Sequence, residues 1–482
     1  MHRLHRIAPE ISAYRTLTTW QRPLFVAIGS LLLLSVLIWP FLVALVLCGL
    51  ATVLYVIVFI YRLVIFWQVV DRPPVVTVSD DEAEAIPDSD LPVYTVLVPA
   101  YREPEVIANT LAAVQSLRYP HDRLDVIVLL EEDDLDTMAA ARSARPDSYV
   151  RVVQVPVAPP QTKPKACNYG LTYARGELVT IYDAEDRPEP LQLRRAVAAF
   201  RALDSSVGCL QAQLSYHNAE QNILTRWFAA EYVAWFRGLL PALVAQDAPV
   251  PLGGTSMHIK RDVLEHAGGW DPHNVTEDAD LGMRLRRLGH RTLVLGSTTL
   301  EEANSDFVNW VKQRSRWYKG YLQTWLVHSR HPLRLWRELG WKGFLAFHLI
   351  IGGTPFISLI NPVFWTLLLL WIAGKPALVA ALFPGPIYYP AMFCLAIGNF
   401  LVVYTNVAVV YTNLVVVRQA GHDRLLLAML LTPCYWVMMS IAAVKAVLQL
   451  IIAPWHWEKT THGLDQPTPP AEELRPVHRH GA

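Results

Sequence analysis

Carboxylates gather at three places in the chain where they can do chemistry. "LLEEDD" ends in Glu131 to Asp134, and "YDAED" carries Asp183, Glu185 and Asp186. Both close an apolar, β-branched segment. An acid at such a point can cap a helix or serve a cation. Asp183 and Glu185, spaced D-x-E, can reach one hard divalent ion, which takes carboxylate oxygens together with substrate phosphates. An ion held this way neutralises a diphosphate leaving group. The third place is "TEDADLGMRLRRLGH", where Glu277, Asp278 and Asp280 crowd a helix start. Leu281, Leu285 and Leu288 make one apolar stripe. Thr276 or Asp278 caps the start, and Gly289 ends the helix. The helix dipole favours first-turn acids by about 0.3–1 kcal/mol, which accounts for one or two of the three. Just upstream, in "PLGGTSM", Gly253 and Gly254 let backbone approach a ligand closely.

Between the acid clusters lies "QTKPKACNYGL". Lys165 offers a point charge for phosphate, and Asn168 a hydrogen-bonding amide. No GxxxxGK[ST] or GxGxxG follows a strand, which argues against a P-loop ATPase and a classical dinucleotide fold. Further on, "FVNWVKQRSRWYKGYLQTW" is amphipathic. Phe307, Trp310, Trp317, Tyr321 and Trp325 share one broad face, and Lys312, Arg314, Arg316 and Lys319 supply charge. Such a helix lies in a membrane interface and can still present Gln313, Arg316 and Trp317 to a site above it.

The elements that position these residues alternate. "VYTVLVPA", "LDVIVLL", "YVRVVQV" and "ELVTIYD" read as strands, and "EVIANTLAAVQSL" has helical spacing. Continuous apolar strands separated by helices predict a mostly parallel sheet covered on both faces. Ligands of such sheets bind outside the carboxyl ends of the strands. Around this α/β domain the chain is apolar: 53% of residues are hydrophobic and 17% charged. The run from Pro23 to Val70 is long enough for two spanning helices, broken at Trp39-Pro40. A cleaved signal peptide is the competing reading, but its apolar core would be shorter, about 7–15 residues. Basic residues on both flanks place the following domain in the cytoplasm. Lysine plus arginine equals aspartate plus glutamate at 42 each, so no global field invites nucleic acid. The five scattered cysteines form no zinc or disulfide pattern. The expected organisation is a tail and two membrane helices (1–70), an acidic linker (71–90), a catalytic domain (91–303) and an interfacial region (304–340). About three transmembrane or re-entrant helices (341–453) and a tail (454–482) follow.

Taken together, "EEDD", "DAED", "TED" and "QRSRW", in that order beside membrane spans, resemble the membrane-embedded family 2 glycosyltransferases, the group of cellulose and hyaluronan synthases. "GGTSM", "QRSRWYKGYLQTW" and "WEKTTHG" look most like the bacterial exopolysaccharide branch. The resemblance implies a GT-A-type, Rossmann-like fold and inverting, processive synthesis of a β-linked glycan from a nucleotide sugar, UDP by default and GDP-mannose open. Export would run through the chain's own helices in the bacterial inner membrane. Tyr101 and Glu103 would hold the nucleobase with Glu132 or Asp133. Lys165 and Asn168 form the family's lysine–asparagine segment, and Lys165 would touch the diphosphate, as would Gln313 and Arg316. Asp183 and Glu185 would bind Mg²⁺ or Mn²⁺, with Asp186 the alternative second ligand. Asp278 would be the general base, beside Glu277 and Thr276, its pKa depressed by the helix dipole. Trp317, Gly254 and Thr255 would meet the acceptor. The implied partners are the growing polysaccharide, membrane lipid and a regulatory or export protein, since the tail has no room for a regulatory domain. The alternatives are a non-processive enzyme acting on a lipid, and a transporter or receptor with a degenerate transferase domain. Two spans before the domain and three after it would leave the tail outside, whereas "WEKTTHG" is expected near the site like a gating loop.

Overall fold

Strongly β-branched segments pair into one nine-stranded sheet in the computed structural model, which describes residues 3–144, 147–374, 377, 383 and 385–460. The last residues of the tail, 461–482, and with them part of "WEKTTHG", lie outside the described residues. The strands are β1 (Val75–Val76), β2 (Tyr94–Ala100), β3 (Leu124–Glu131), β4 (Val150–Val155), β5 (Leu178–Ile181), β6 (Arg187–Pro188), β7 (Val207–Tyr216), β8 (Met257–Lys260) and β9 (Arg291–Glu301). Their order is β1-β9-β7-β8-β5-β2-β3-β4, with β6 pairing β9. Every residue of β2 and β3 is buried, as strands with helices on both faces require. β8 runs antiparallel to β5 and to β7, so β5 and β7 point the same way. β9 is parallel to β7, and β2, β3 and β4 are parallel to β5. Ala100 stands opposite Leu130, and Leu97 opposite Ile181. The carboxyl ends of β2, β3, β5 and β9 therefore deliver Tyr101, Glu131–Asp134, Asp183–Asp186 and Glu301 to one edge of the sheet.

The helices used below are α1 (Gln21–Ile38), α2 (Pro40–Trp67), α3 (Lys163–Leu171), α4 (Ile223–Ala234), α5 (Glu277–Arg287), α6 (Phe307–His328), α7 (Gly353–Ile372), α8 (Tyr388–Gln419) and α9 (Thr432–Ile452). Trp39, at φ −133° and ψ 60°, separates α1 from α2. Among the described residues five helical stretches are long and apolar enough to cross a membrane: α1, α2, Ile223–Ala245, Pro332–Leu370 and α9. The stretch Ile223–Ala245 is one the sequence reading did not single out. It is 56% buried and carries Glu231, bound by both terminal nitrogens of Arg314 on α6. That pair ties the stretch to α6.

α9 runs alongside α6 for its whole length. Trp310 donates to the Tyr435 hydroxyl at 3.3 Å near the two starts, and Gln323 to the Pro454 carbonyl at 2.8 Å near the two ends. Its other face leaves Val437, Ile441, Val444, Leu448 and Ile451 exposed, one stripe at helical spacing. The tail beyond α9 returns to the domain. Trp455 donates to the Ala13 carbonyl at 3.1 Å, and Ala13 N donates to Asp271 at 2.6 Å. The segment before α1 and the segment after α9 therefore lie on the domain's side of the helices.

Asp280, the third acid of its group, belongs to the fold. It sits at 0% exposure, 2.7 Å from Arg284 Nε and 2.9 Å from His328 Nε2. His328 Nδ1 lies 2.8 Å from Arg287 Nη1 and accepts from it, so Nε2 carries the ring proton toward Asp280. Burial alone would raise the Asp280 pKa, but Arg284 and His328 hold it below its ordinary value. Its stabilising effect is present above the unfolded carboxylate pKa and is lost as pH falls through the lower folded one. Removing one partner of a buried ion pair costs about 3–5 kcal/mol. Arg284→Met is expected to show that loss as a lowered melting temperature.

Candidate active site

A cavity of about 430 Å³ opens at the strand ends and continues between α2, α7, α8 and α9. Its upper walls are Asp183 and Glu185 after β5, Gly254 before β8, Glu277 and Asp278 at the start of α5, and Glu301 closing β9. Gln313, Arg316 and Trp317 reach it from α6, with Trp457 from the tail. The structure thus brings Asp183, Glu185, Gly254, Thr276, Glu277, Asp278, Gln313, Arg316 and Trp317 to one cleft.

Lys163, at the first position of α3, is the cation among these acids. Its ammonium lies 2.5 Å from Asp183 Oδ1 and donates to the Gly254 carbonyl at 3.0 Å. Asp186 turns inward instead, accepting from Asp183 N at 2.7 Å and from the Thr255 hydroxyl. Of the two candidate second ligands, Glu185 lines the cavity and Asp186 braces the loop. Among the described residues no three His, Cys, Asp or Glu side chains are grouped to hold a metal unaided. Two carboxylates completed by substrate phosphates is the arrangement Mg²⁺ commonly takes. Asp183 and Glu185 fit an ion held in that way.

The acids titrate apart. Burial, then Asp183, pushes Glu185 up to about 8. Burial, then Asp278, pushes Glu277 up to about 8 as well. Asp278 is pushed up to about 6, burial outweighing the Ala279 amide and Lys163 that favour its charge. The expected depression by the helix dipole is therefore overturned: a dipole effect of about 0.3–1 kcal/mol loses to desolvation. Adjacent carboxyls driven apart define an acid–base assignment. Both are pushed up by burial, and Glu277, with Asp278 beside it, is pushed further, which makes Asp278 the one of the two that more readily gives up its proton. If Asp278 is the base, kcat is expected to rise as pH climbs through about 6, because only the ionised form accepts a proton; a pH–rate profile at saturating substrate checks this. A Cβ on Gly254 would stand 3.1 Å from Asp278 Oδ2, and Gly254 has φ +86°. Both facts reserve that position for glycine.

A second group lies on the β2–β3 side. The Tyr101 hydroxyl donates to Asp133 at 3.1 Å, and Gln161 donates to the other Asp133 oxygen at 2.8 Å. Each acid of "EEDD" has its own place. Glu131 is buried on Lys165, Glu132 is exposed, Asp133 faces Tyr101, and Asp134 caps the next helix at Thr137 N. Gln161 and Lys163, two residues apart, tie Asp133 to Asp183. Glu458 and Lys459 bridge the groups from above. Arg316 donates to the Glu458 carbonyl at 3.2 Å, while Lys459 donates to the Arg102 carbonyl at 2.8 Å and lies 3.5 Å from Glu103.

Three expected site residues lie elsewhere. Lys165 is fully buried, 2.8 Å from Glu131, with no path to a diphosphate in the cleft. Asn168 is buried with its amide donating to the Trp270 carbonyl at 2.7 Å, and so fixes a loop. The Thr255 hydroxyl is spent on Ile181 and Asp186. Lys163, Gln161 and Glu301 take places at the site that the motifs did not mark, while Glu458 and Lys459 bring "WEKTTHG" beside it.

Residues 92–320 match the family model described as Glycosyltransferase like family 2. The chain is 29% identical over 246 residues to the probable glycosyltransferase YdaM of Bacillus subtilis (strain 168), covering 48% of this chain and 56% of that one. It is 27% identical over 278 residues to a beta-monoglucosyldiacylglycerol synthase of Synechocystis sp., covering 56% and 55%. Over 265 residues it is 28% identical to glucomannan 4-beta-mannosyltransferase 2 of Arabidopsis thaliana, covering 53% and 49%. The chain spans about half the length of the curated relatives it matches.

Proposed function

Residues 92–320 match the family 2 glycosyltransferase model, and from that match we propose that the whole chain is an inverting synthase that extends a glycan with sugar from a nucleoside diphosphate donor. The acceptor hydroxyl approaches Asp278, which takes its proton as the oxygen attacks the anomeric carbon. The bond from that carbon to the diphosphate breaks on the opposite face, so an α-linked donor gives a β-linked product. Lys163 and Arg316 receive the charge that develops on the leaving diphosphate. Burial and Asp278 favour the protonated form of Glu277, which limits the negative charge beside the base. Asp183 and Glu185 would hold a divalent cation, which when bound supplies further charge neutralisation there. Tyr101 and Asp133 form the cradle for the base and ribose of the nucleotide. If this assignment holds, chelation with EDTA is expected to abolish turnover, and added Mg²⁺ or Mn²⁺ to restore it.

The observation that carries the polymer reading is the cavity's polar continuation into the helix bundle. Tyr55, midway along α2, donates to Asn406 on α8 at 3.1 Å. Asn361 Oδ1 and Asn406 Nδ2 are buried without a hydrogen-bond partner. Unsatisfied polar groups at membrane depth are costly, and a hydroxyl-rich glycan satisfies them where an acyl chain does not. On this reading α1, α2, α7 and the 32-residue α8 cross the bilayer, while α9, although apolar enough to cross, lies along α6 at its surface. Four crossings return the tail to the cytoplasmic side, where Lys459 meets the donor loops. A second reading, transfer to a glycerolipid, is favoured by the named activity of the Synechocystis relative. The purified full chain in lipid vesicles, given radiolabelled UDP- and GDP-sugars, separates the two. The expected product is polymer retained at the top of a gel. A single labelled sugar extracting with lipid would overturn the polymer reading.

A further inference from the structure

Four cationic side chains line the cavity, and two of them have an anionic partner. Lys163 is paired with Asp183, and Arg314 with both oxygens of Glu231. Among the described residues Arg316 and Arg62 form no ion pair with a carboxylate. Arg316 faces the donor side, its guanidinium 4.6 Å from the centre of the Trp457 ring. Arg62 is on α2, within the helix bundle. Its Nη2 donates to Thr354 Oγ1 at 2.7 Å, and its Nε is buried with no partner. An ionisable side chain inside a membrane segment is expensive and normally marks a ligand path. Tyr55, Tyr318, Tyr321 and Ser358 share this part of the cavity as neutral hydroxyls, Ser358 already spent on the Tyr318 oxygen at 3.0 Å, and the one carboxylate whose charge reaches Arg62, Glu231, is held by both terminal nitrogens of Arg314.

We infer that Arg62 forms a subsite for a carboxylate-bearing sugar, so that the glycan handled by this chain contains uronic acid residues; this rests on the polymer reading above. The planar guanidinium fork matches one carboxylate through two parallel hydrogen bonds. Its surroundings are helical, so their backbone N–H groups are committed to helix bonds and build no amide cradle of the kind that holds a phosphate. The flanking phenols and Trp317 supply ring faces and hydroxyls, the usual company of a pyranose. Arg62 also lies in the cavity that joins Asp278 to the Tyr55–Asn406 pair, the path of sugars already transferred. A uronic acid there brings the directly bonded anion that Arg62 lacks, since Glu231 is committed to Arg314, whereas a neutral sugar leaves the guanidinium without one.

The test uses the full chain in nanodiscs and two tetrasaccharides, one of alternating glucose and glucuronate and one of glucose alone. The wild type is expected to bind the acidic one about tenfold more tightly, as a charge-assisted bidentate pair allows. Arg62→Met should erase that preference, and Arg62→Lys, which keeps the charge but not the fork, should retain part of it. Thermal unfolding of each variant separates lost binding from lost fold, and Arg62→Lys carries the test if Arg62→Met does not fold. Equal binding of both sugars by the wild type overturns the inference. So does an acid preference that survives Arg62→Met, or acidic sugar displaced by phosphatidylglycerol at equal concentration. Polymer made without any acid preference refutes the subsite alone; acid preference without polymer refutes the processive reading alone.

Discussion

Replacing Asp278 by Asn is expected to lower kcat by about 10²–10⁴-fold, the usual contribution of a positioned general base, while leaving nucleotide affinity nearly unchanged. The amide has the carboxylate's shape, and its oxygen can still accept from Ala279 N, as Asp278 Oδ1 does at 2.8 Å. What is lost is a group able to take a proton. Nucleotide affinity should survive because the Tyr101–Asp133 pair and Lys163 make their contacts without Asp278. Glu277→Gln provides the contrast. Glu277 lines the same cavity, and burial and Asp278 push its pKa up, so the Gln amide resembles the protonated acid that the site favours there. It should cost far less than Asp278→Asn. Steady-state rates with one radiolabelled donor, and nucleotide affinity measured separately, check the pair. Equal losses for both variants, or a loss of nucleotide affinity in Asp278→Asn, would remove Asp278 from the role of base.

The sequence marked the edge of the sheet better than it marked which atoms face it. β-branched runs ending in acids give β2, β3, β5 and their open edge, because strand type and parallel pairing follow from apolar continuity. Side-chain direction past the last strand residue depends on turns that single residues decide. Asp183, Glu185 and Asp186 are equivalent as acids, and it took the hydrogen bonds from Asp183 N and Thr255 to turn Asp186 inward. Asp280 shares its cluster with Glu277 and Asp278 and differs through Arg284 one turn on and His328 far along the chain; the first partner was visible at i+4 spacing, the second was not. The raised Asp278 pKa is a burial effect, and burial of a helix start against α6 has no local sequence signal. Glu458 and Lys459 reach the site only because α9 lies along α6, a packing choice that apolar length alone reads as a crossing.

The two lysines of "TKPKACN" carry the second large expected effect, and in opposite observables. A motif reading picks Lys165, which precedes the Ala-Cys-Asn segment. Pro164 points the other way. Proline favours the first turn of a helix, where its missing N–H costs nothing, and α3 indeed starts at Lys163. A residue at that first position projects toward the strand ends, while Lys165, further into the first turn, faces the sheet. There it is enclosed with Glu131 at 2.8 Å and the Pro156 carbonyl at 2.9 Å. Lys163→Met should therefore lower kcat/KM by about 10²–10³-fold, on the scale of losing one preorganised charge stabiliser, with an unchanged melting temperature. Lys165→Met should strand the buried Glu131 carboxylate and cost about 3–5 kcal/mol of stability, while the folded fraction keeps its kcat/KM. Melting curves and rates on the same preparations decide between them. Catalysis lost in Lys165→Met at an unchanged melting temperature would return the diphosphate to Lys165, and leave Lys163 with no role beyond its contact to Asp183.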